Sequence, residues 1–165
     1  MAEIYVTLNW TDEAAFNADT EKPSGLIWGS TAFNSLSAAV KAADASADTT
    51  ITVAAGTYTE NLEITVSEVG EQKGKLSFVA AEDGVIIAGT VQVGYYERGV
   101  GNENWNSKVA FTGITFDHAE SAKHSLNIGA AVGGVDLTDC NIIGDGEYGI
   151  GSAAGNNAGD RKSVV

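Results

Sequence analysis

Residues 109–143 contain one pattern of apolar and polar positions written twice. The segment VAFTGITFD begins at Val109, and VDLTDCNII begins at Val135, 26 residues later. Each copy predicts two short strands separated by a one-residue change of phase, because apolar and polar positions alternate on both sides of two small or polar residues. The matched apolar positions are Val109, Phe111, Ile114 and Phe116 in the first copy and Val135, Leu137, Cys140 and Ile142 in the second.

Two fainter relatives of this unit lie upstream: ITVAAGTYTENLEITV from Ile51 and LSFVAAEDGVIIAGTVQV from Leu76, 25 residues apart. Strands that recur at this period, with Gly and Asp at the corners, are typical of coils stacked along one axis. We therefore predict an all-β solenoid of about four coils over residues 49–159, divided near residues 74, 106 and 132. The second coil carries an insertion, GYYERGVGNENWNS, at 94–107.

The first 48 residues carry a different pattern and are predicted to form an N-terminal cap. Residues 3–8 alternate as a strand, and a polar, irregular stretch follows to about residue 29. Helical spacing then predicts one capping helix over about 31–45, started by Ser30 or Thr31. Such a helix would cover the open end of the solenoid, since exposed sheet edges invite aggregation. Trp10 and Trp28 are expected to pack in this cap.

Composition excludes several classes of partner. The chain has 165 residues, 20 Gly and one Pro, and a net charge of −13. This charge repels phosphate backbones and anionic lipid, so nucleic acid is not an expected partner. No apolar run approaches the roughly 20 residues that a bilayer-spanning helix needs, so no membrane insertion is expected. Cys140 is the only cysteine and matches an inward repeat position, so we expect a small core residue rather than a reactive thiol.

Particular segments carry a resemblance to a known family. ITVAAGTYTENLEIT, preceded by the Ala-rich FNSLSAAVKAA, resembles the opening of right-handed parallel β-helix proteins of the pectin-lyase-like superfamily. GITFDH at 113–118 is similar to a recurrent turn of that family. The lead-in EIYVTLNW…IWGSTAFNSL is similar to that of repetitive adhesin-type proteins from gut bacteria. The resemblance covers about residues 30–150 and implies a right-handed parallel β-helix; lyases, esterases, hydrolases and adhesins share that fold.

Enzymes of this superfamily use clustered carboxylates with Arg or Lys on one strand face, and no such cluster can be assembled from this sequence. Asp117, Asp136 and Asp139 fall near coil corners, and Asp136 has no partner at matching register on coil three. Asp117 and His118 are neighbours on a strand, so they point to opposite faces. We interpret His118 and His124 as polar corner residues. The Gly-rich GDGEYGIG at 144–151 is interpreted as a turn. No catalytic residue, metal site or cofactor is predicted.

The insertion in coil two is the best candidate for a binding site. Tyr95, Tyr96 and Trp105 supply flat apolar faces, and Asn104 supplies hydrogen-bonding groups suited to sugar hydroxyls. These four residues form the predicted glycan-binding set. In the alternative interpretation the aromatic rings pin the long loop against the wall of the coils, because a long loop must bury something to stay ordered.

The resemblance, together with the absence of a catalytic cluster, implies a non-catalytic fragment of a bacterial surface or adhesin-like β-helix protein that contacts a glycan or a host or cell-surface ligand. One alternative is the N-terminal part of a polysaccharide lyase, esterase or glycoside hydrolase whose catalytic coils lie further on. Another is a structural spacer. MAEIYVTLNW has no basic n-region or apolar h-region. We nevertheless expect an extracellular or cell-surface location, with Met1 not the start of the natural precursor.

The last residues predict that the natural protein continues. The fourth coil is unfinished, and SAAGNNAG at 152–159 is typical of a corner leading into another strand. DRKSVV at 160–165 matches no position of the coil pattern. A common short-read sequencing adapter encodes these six residues in one frame, so we interpret 160–165 as a non-native tail. Further C-terminal coils of the full-length chain are then expected to stack on the fourth coil.

Overall fold

The computed structural model describes residues 2–44, 46–65, 74–94, 108–118, 125–129, 134–144 and 150–152. Its strands form three sheets, which we call A, B and C. Sheet A contains β1 (Ala2–Val6), β2 (Ala32–Phe33), β3 (Thr49–Val53), β6 (Leu76–Ala80), β9 (Lys108–Thr112) and β12 (Gly134–Thr138). Sheet B contains β4 (Gly56–Tyr58), β7 (Val85–Ile87), β10 (Ile114–His118) and β13 (Asn141–Gly144). Sheet C contains β5 (Leu62–Ile64), β8 (Val91–Val93), β11 (Leu126–Ile128) and β14 (Ile150–Ser152).

The chain visits the three sheets in turn and then returns to the first. Sheet A has the strand order β12-β9-β6-β3-β1-β2, sheet B the order β13-β10-β7-β4, and sheet C the order β14-β11-β8-β5. Every pairing between these strands is parallel. This arrangement is a parallel β-solenoid of about four turns, so the predicted fold class is confirmed.

The core is a set of inward stacks along the solenoid axis. In sheet A, Ile51, Phe78, Phe111 and Leu137 are paired in register. The rings of Phe78 and Phe111 are stacked, with centroids 4.9 Å apart and planes at 16°. Phe116 of sheet B meets Phe111 edge-on at 5.1 Å. The register predicted from the two copies of the repeat is therefore confirmed, and the apolar stacks hold the three sheets together.

The corners between sheets A and B use the left-handed backbone region. The residues at the equivalent corner of successive coils are Gly84 (φ 93°), Gly113 (φ 71°) and Asp139 (φ 51°). Glycine enters this region without a steric penalty, and Asp is one of the few other residues that tolerate it. Gly89 has a different role, because any Cβ there would overlap the carbonyl oxygen of Glu60. Neighbouring coils therefore touch backbone to backbone at that corner.

The N-terminal region differs from its prediction in two places. The helix α2 spans Leu36–Ala42 with Ser35 as its N-cap, so it is shorter than the predicted 31–45. Ala32 and Phe33 instead form β2, which pairs with Tyr5 and Val6 of β1. Phe33 fits the apolar face of a helix and of a strand equally well, and the open edge of β1 decides between them. A second helix, α1 (Glu13–Ala18), lies in the stretch predicted to be irregular.

The helix α2 closes the first end of the solenoid, which we call the cap end (β1, β2 and α2). It contacts β1, β2 and β5 and buries Leu36, Ala39 and Val40. Glu60, from the corner before β5, reaches the start of this helix. Its carboxylate accepts hydrogen bonds from the backbone N–H of Leu36 at 2.6 Å and of Ser37 at 2.9 Å, and from the Ser35 hydroxyl at 2.8 Å. The first coil thus supplies a cap for N–H groups that a helix cannot satisfy itself. Neither of the two described helices has the length and apolar character of a membrane span.

Candidate functional site

The outer face of sheet A is the broadest regular surface that the described strands build. Alternation along each strand places every second side chain outward, and the parallel register stacks these side chains in rows, two of which run from β1 to β12. The first row is Glu3, Thr50, Ser77, Ala110 and Asp136. The second row is Tyr5, Thr52, Val79, Thr112 and Thr138. On β3, β6 and β9 both rows hold only small neutral side chains, with hydroxyl and methyl groups repeating at about 4.8 Å along the axis.

One ion pair crosses this face. Lys75 Nζ lies 3.7 Å from Asp136 Oδ2, with side chains 43% and 50% exposed. The in-register neighbour of Asp136 on coil three is Ala110, as the sequence predicted. The partner of the Asp136 carboxylate is Lys75, the residue just before β6. Sequence register could not reveal this pair, because Lys75 precedes its strand and its side chain reaches past the intervening β9. A pair this exposed contributes little to stability.

The predicted glycan-binding residues Tyr95, Tyr96, Asn104 and Trp105 lie outside the described residues. The two ends of the insertion are described. Gly94 follows β8 of sheet C, and its N–H donates to the Ile64 carbonyl at 2.9 Å. Lys108 begins β9 of sheet A and is paired with Gly134. The insertion therefore begins at the end of a strand of sheet C and ends where β9 of sheet A begins, at the edge of the outer face.

A short polar ladder fixes the point where the insertion leaves sheet C. Gln92 and Asn127 are paired in register on β8 and β11. The Asn127 side-chain amide donates to Gln92 Oε1 at 2.7 Å, and Gln92 Nε2 donates to the Gly94 carbonyl at 2.7 Å. Gly94 has a positive φ of 74°, which glycine adopts without strain. The sequence signal for this ladder is a pair of amide residues at matching coil positions, which the repeat comparison could have found.

An aromatic cluster lies at the cap end of the second row. Trp10 is 1% exposed, and its ring lies 5.5 Å from Tyr5 and 5.0 Å from Phe16 between centroids. Trp28 lies 5.9 Å from Phe16, so the expectation that both tryptophans pack in the cap is confirmed. Asp19 Oδ2 accepts a hydrogen bond from Trp10 Nε1 at 2.8 Å, and this bond is the main reason that the pKa of Asp19 is lowered.

This cluster also changes the environment of Tyr5, the residue that begins the second row. Burial against the cluster is the main cause of the raised pKa of Tyr5, and the nearby charges of Glu82 and Asp19 act in the same direction. Lys22 Nζ lies 4.9 Å from the centre of the Phe16 ring, in cation–π range. The segment between β1 and β2 thereby packs against Tyr5 on the outward face of β1, and the open part of the second row begins at Thr52 of β3.

The histidine interpretation is corrected in part. His118 ends β10 with its side chain buried, whereas Asp117 lies on the other face, as predicted. His118 Nδ1 lies 3.0 Å from the Ala88 carbonyl oxygen, which can only accept, so Nδ1 carries the proton. The His118 backbone N–H donates to Ser125 Oγ at 3.2 Å. The strand pattern continues one residue further than the sequence indicated, so His118 is a core residue. His124 and residues 145–149 lie outside the described residues.

Cys140 packs against the core and is half-buried, in agreement with its predicted inward position. Its thiol lies 3.4 Å from the Phe111 carbonyl oxygen of the coil below.

Within the described ranges, no three His, Cys, Asp or Glu side chains come together in a way that could hold a metal ion. Searches against protein-family models, curated proteins and solved structures found no match to this chain. The fold itself places the chain among parallel β-solenoid proteins.

Proposed function

We propose that this chain is a non-catalytic module of a bacterial surface or adhesin-like β-helix protein, and that it contacts a neutral glycan. Membership of the pectin-lyase-like superfamily and an extracellular or cell-surface location are parts of the same proposal. Tyr95, Tyr96, Asn104 and Trp105 are the proposed contact residues, through stacking of sugar rings on the aromatic faces and hydrogen bonds to the amide.

The neutral central part of the outer face of sheet A, where the two rows cross β3, β6 and β9, is the observation that carries this proposal. Thr50, Ser77 and Ala110 are stacked in one row, and Thr52, Val79 and Thr112 in the other. Their hydroxyl groups donate and accept hydrogen bonds, and their methyl groups offer apolar contact, which suits a hydroxyl-rich chain without charge. The insertion returns to the solenoid at Lys108, beside this face. With a net charge of −13, the protein would repel a polyanion.

Glycan arrays and affinity gels of neutral polysaccharides test this function. We expect retention of the wild-type chain, loss of at least tenfold in affinity for Trp105→Ala, and most of the binding retained for Trp105→Phe, which keeps an aromatic face. Ile27→Ala is the matched control, because Ile27 is a large apolar residue, 63% exposed, in the segment before β2. Wild-type retention that Trp105→Ala leaves unchanged, with the same thermal midpoint, would remove the insertion from the proposal.

The enzymatic alternative has one specific observation in its favour, the Lys75–Asp136 pair at 3.7 Å. The carboxylate of this pair could act as base and the ammonium group as acid toward a polysaccharide. Release of unsaturated or reducing ends from acidic and neutral polysaccharides, compared between wild type, Asp136→Asn and Lys75→Gln, tests this alternative. Turnover by the wild type that both variants reduce would favour the enzyme over the display module.

The spacer alternative requires only the stacked coils and no binding site. A folded wild-type chain that retains no neutral glycan would favour the spacer over the adhesin-type module.

We also propose that further coils of the same chain are the natural partner of the fourth coil. Val135, Leu137, Cys140 and Ile142 support this, because they pack against the core but are only partly buried.

A further inference from the structure

The turn that follows β1 contains a modification motif. Asn9, Trp10 and Thr11 form an Asn-X-Thr triplet, and it is the only Asn-X-Ser/Thr triplet in the 165-residue sequence. This triplet is the acceptor motif for N-linked glycosylation when its middle residue is not proline. Because the motif occurs once, any modification of this type can be assigned to a single residue.

The structure presents both reactive positions of the triplet to solvent. Asn9 and Thr11 are exposed, whereas Trp10 between them is 1% exposed and packs in the aromatic cluster. The buried indole holds the middle of the triplet against the protein, so the residues on either side face outward. A transferase must bind the Asn amide and the Thr hydroxyl together, and this arrangement offers the two side chains from one exposed turn.

The backbone of the triplet is held, but its two polar side chains are not engaged by the described part of the chain. The Asn9 N–H donates to Thr7 Oγ1 at 3.3 Å, and the Thr11 carbonyl accepts from Asn34 Nδ2 at 3.2 Å. Neither the Asn9 amide group nor the Thr11 hydroxyl hydrogen-bonds to another described residue. An enzyme could therefore bind both groups without first breaking a hydrogen bond between described residues.

We propose that Asn9 is the acceptor of an N-linked oligosaccharide in the folded protein, given the export that the proposed function requires. The co-reactant is a lipid-diphosphate-linked oligosaccharide, and an oligosaccharyltransferase catalyses the step. Asn9 Nδ2 forms a bond to the anomeric carbon of the first sugar, and the bond from that carbon to the phosphate oxygen breaks. The lipid diphosphate leaves with the electron pair, and the amide loses one proton to a base of the transferase.

The place of Asn9 in the fold keeps this modification away from the fourth coil. The triplet follows β1, and sheet A runs from β1 through β3, β6 and β9 to β12. An oligosaccharide on Asn9 would therefore shield the cap end and the aromatic cluster, while β12 stays open for further coils. The modification and the stacking of coils are compatible on one molecule.

Reaction of the purified, folded chain with a purified oligosaccharyltransferase and its lipid-linked donor tests the proposal without any export step. Intact mass and peptide mapping are the readouts, with a short peptide of residues 7–12 as the acceptor control. We expect one added oligosaccharide, at Asn9, on the wild type and on Thr11→Ser, which keeps the hydroxyl. Asn9→Gln and Thr11→Val should gain none, with thermal midpoints close to that of the wild type.

Two results would overturn the proposal. In one, the peptide is modified and the folded wild type is not, which would mean that the fold withholds the triplet. In the other, Asn9→Gln gains the same mass as the wild type. The assay contains no glycan ligand and no secretion step, so failure of the adhesin-type function would leave its result unchanged. Conversely, an unmodified Asn9 would leave the glycan-binding experiment at Trp105 unaffected.

Discussion

Coil three and coil four carry the same sequence unit, yet they differ in burial. Coil three consists of β9, β10 and β11, and each of these strands is paired on both sides. Coil four consists of β12, β13 and β14, which within the described residues pair only with coil three. Val109, Phe111, Ile114 and Phe116 are all 0% exposed. Their counterparts Val135, Leu137, Cys140 and Ile142 are partly buried and pack against the core from one side.

This difference shows that the burial of an inward side chain in a solenoid is determined by the coils on either side of it, and not by the sequence of its own strand alone. Phe111 is covered by Phe78 below and Leu137 above, so it loses all contact with water. Leu137 is an inward residue of the same pattern, but its cover in the described chain comes from Phe111. Stability in such folds is a sum of terms within each coil and between adjacent coils, so equal sequences can differ in energetic weight.

The largest expected effect separates the two coils directly. Phe111→Ala should lower the free energy of unfolding by about 3–5 kcal/mol, the usual cost of removing a fully buried ring. Leu137→Ala should cost less than half as much, because part of this side chain is already in water. Thr112→Ala, on the outer face, should cost under about 0.5 kcal/mol. Denaturant unfolding followed by circular dichroism measures all three, and equal losses at Phe111 and Thr112 would contradict the register.

A second test compares the same corner in the two coils. Gly113 has φ 71°, and a Cβ there would lie 3.1 Å from the Ala80 Cβ. Gly113→Ala should therefore destabilise the protein by about 1–2 kcal/mol. Asp139 already occupies the left-handed region with φ 51°, so Asp139→Gly should change stability by no more than about 0.5 kcal/mol. Thermal unfolding of the two variants measures both changes, and a neutral Gly113→Ala would contradict the left-handed, closely packed corner at Gly113.

A third test asks how the cap end is sealed, in contrast with the partly covered fourth coil. Glu60→Ala removes three hydrogen bonds to the start of α2 and should cost about 1 kcal/mol, as the loss of a helix cap does. Glu60→Gln keeps an acceptor and should cost less. Glu63→Ala, an exposed carboxylate on β5, is the control and should be near neutral. Hydrogen exchange of the Leu36 and Ser37 amides provides the readout, and unchanged protection in Glu60→Ala would contradict the cap.

The smallest expected effect is the pH dependence of stability that comes from the buried side chain of Tyr58. Burial is the main cause of the raised pKa of Tyr58, and its hydroxyl donates to the Ala54 carbonyl at 2.9 Å. A raised folded-state pKa stabilises the protein below the ordinary tyrosine value of about 10, and this stabilisation is lost as pH rises further. Tyr58 should thus ionise only as the fold opens. Absorbance near 295 nm and circular dichroism should change together for this residue, and its ionisation in a fully folded chain would contradict its burial.

The sequence predicted the coils better than the cap. A repeated pattern is read several times along the chain, so the register of Phe111 with Leu137 followed from the sequence alone. The cap is not repeated, and there local signals compete: Ser30, Thr31 and Ser35 are all acceptable starts for a helix. The pairing of β1 with Ala32 and Phe33 and the hydrogen bonds of Glu60 to the helix start favour Ser35. The short helix α1 begins at the N-cap Asp12. One capping residue is too weak a signal to predict a helix from the sequence, and the contacts of Phe16 in the aromatic cluster become visible only in the structure.

The candidate site could be predicted only in part. The outward rows of sheet A follow from alternation and register, both of which the sequence contains. The Lys75–Asp136 pair does not, because it depends on how far a flexible side chain extends across a neighbouring strand. The inward position of His118 was missed because the strand continues one residue past the repeat pattern. The predicted glycan-binding role of Tyr95, Tyr96, Asn104 and Trp105 stays a prediction.

A spin-label experiment on the outer face of sheet A tests the central claim, the in-register parallel stack, most directly. Val79 and Thr112 are paired in register on β6 and β9. In a Cys140→Ser background, nitroxides at positions 79 and 112 should interact strongly, because paired backbones lie about 4.8 Å apart. Labels at positions 79 and 115, on two different sheets, should interact more weakly. We expect strong broadening for the first pair alone, and first-pair spectra equal to the sum of the single labels would contradict the in-register stack.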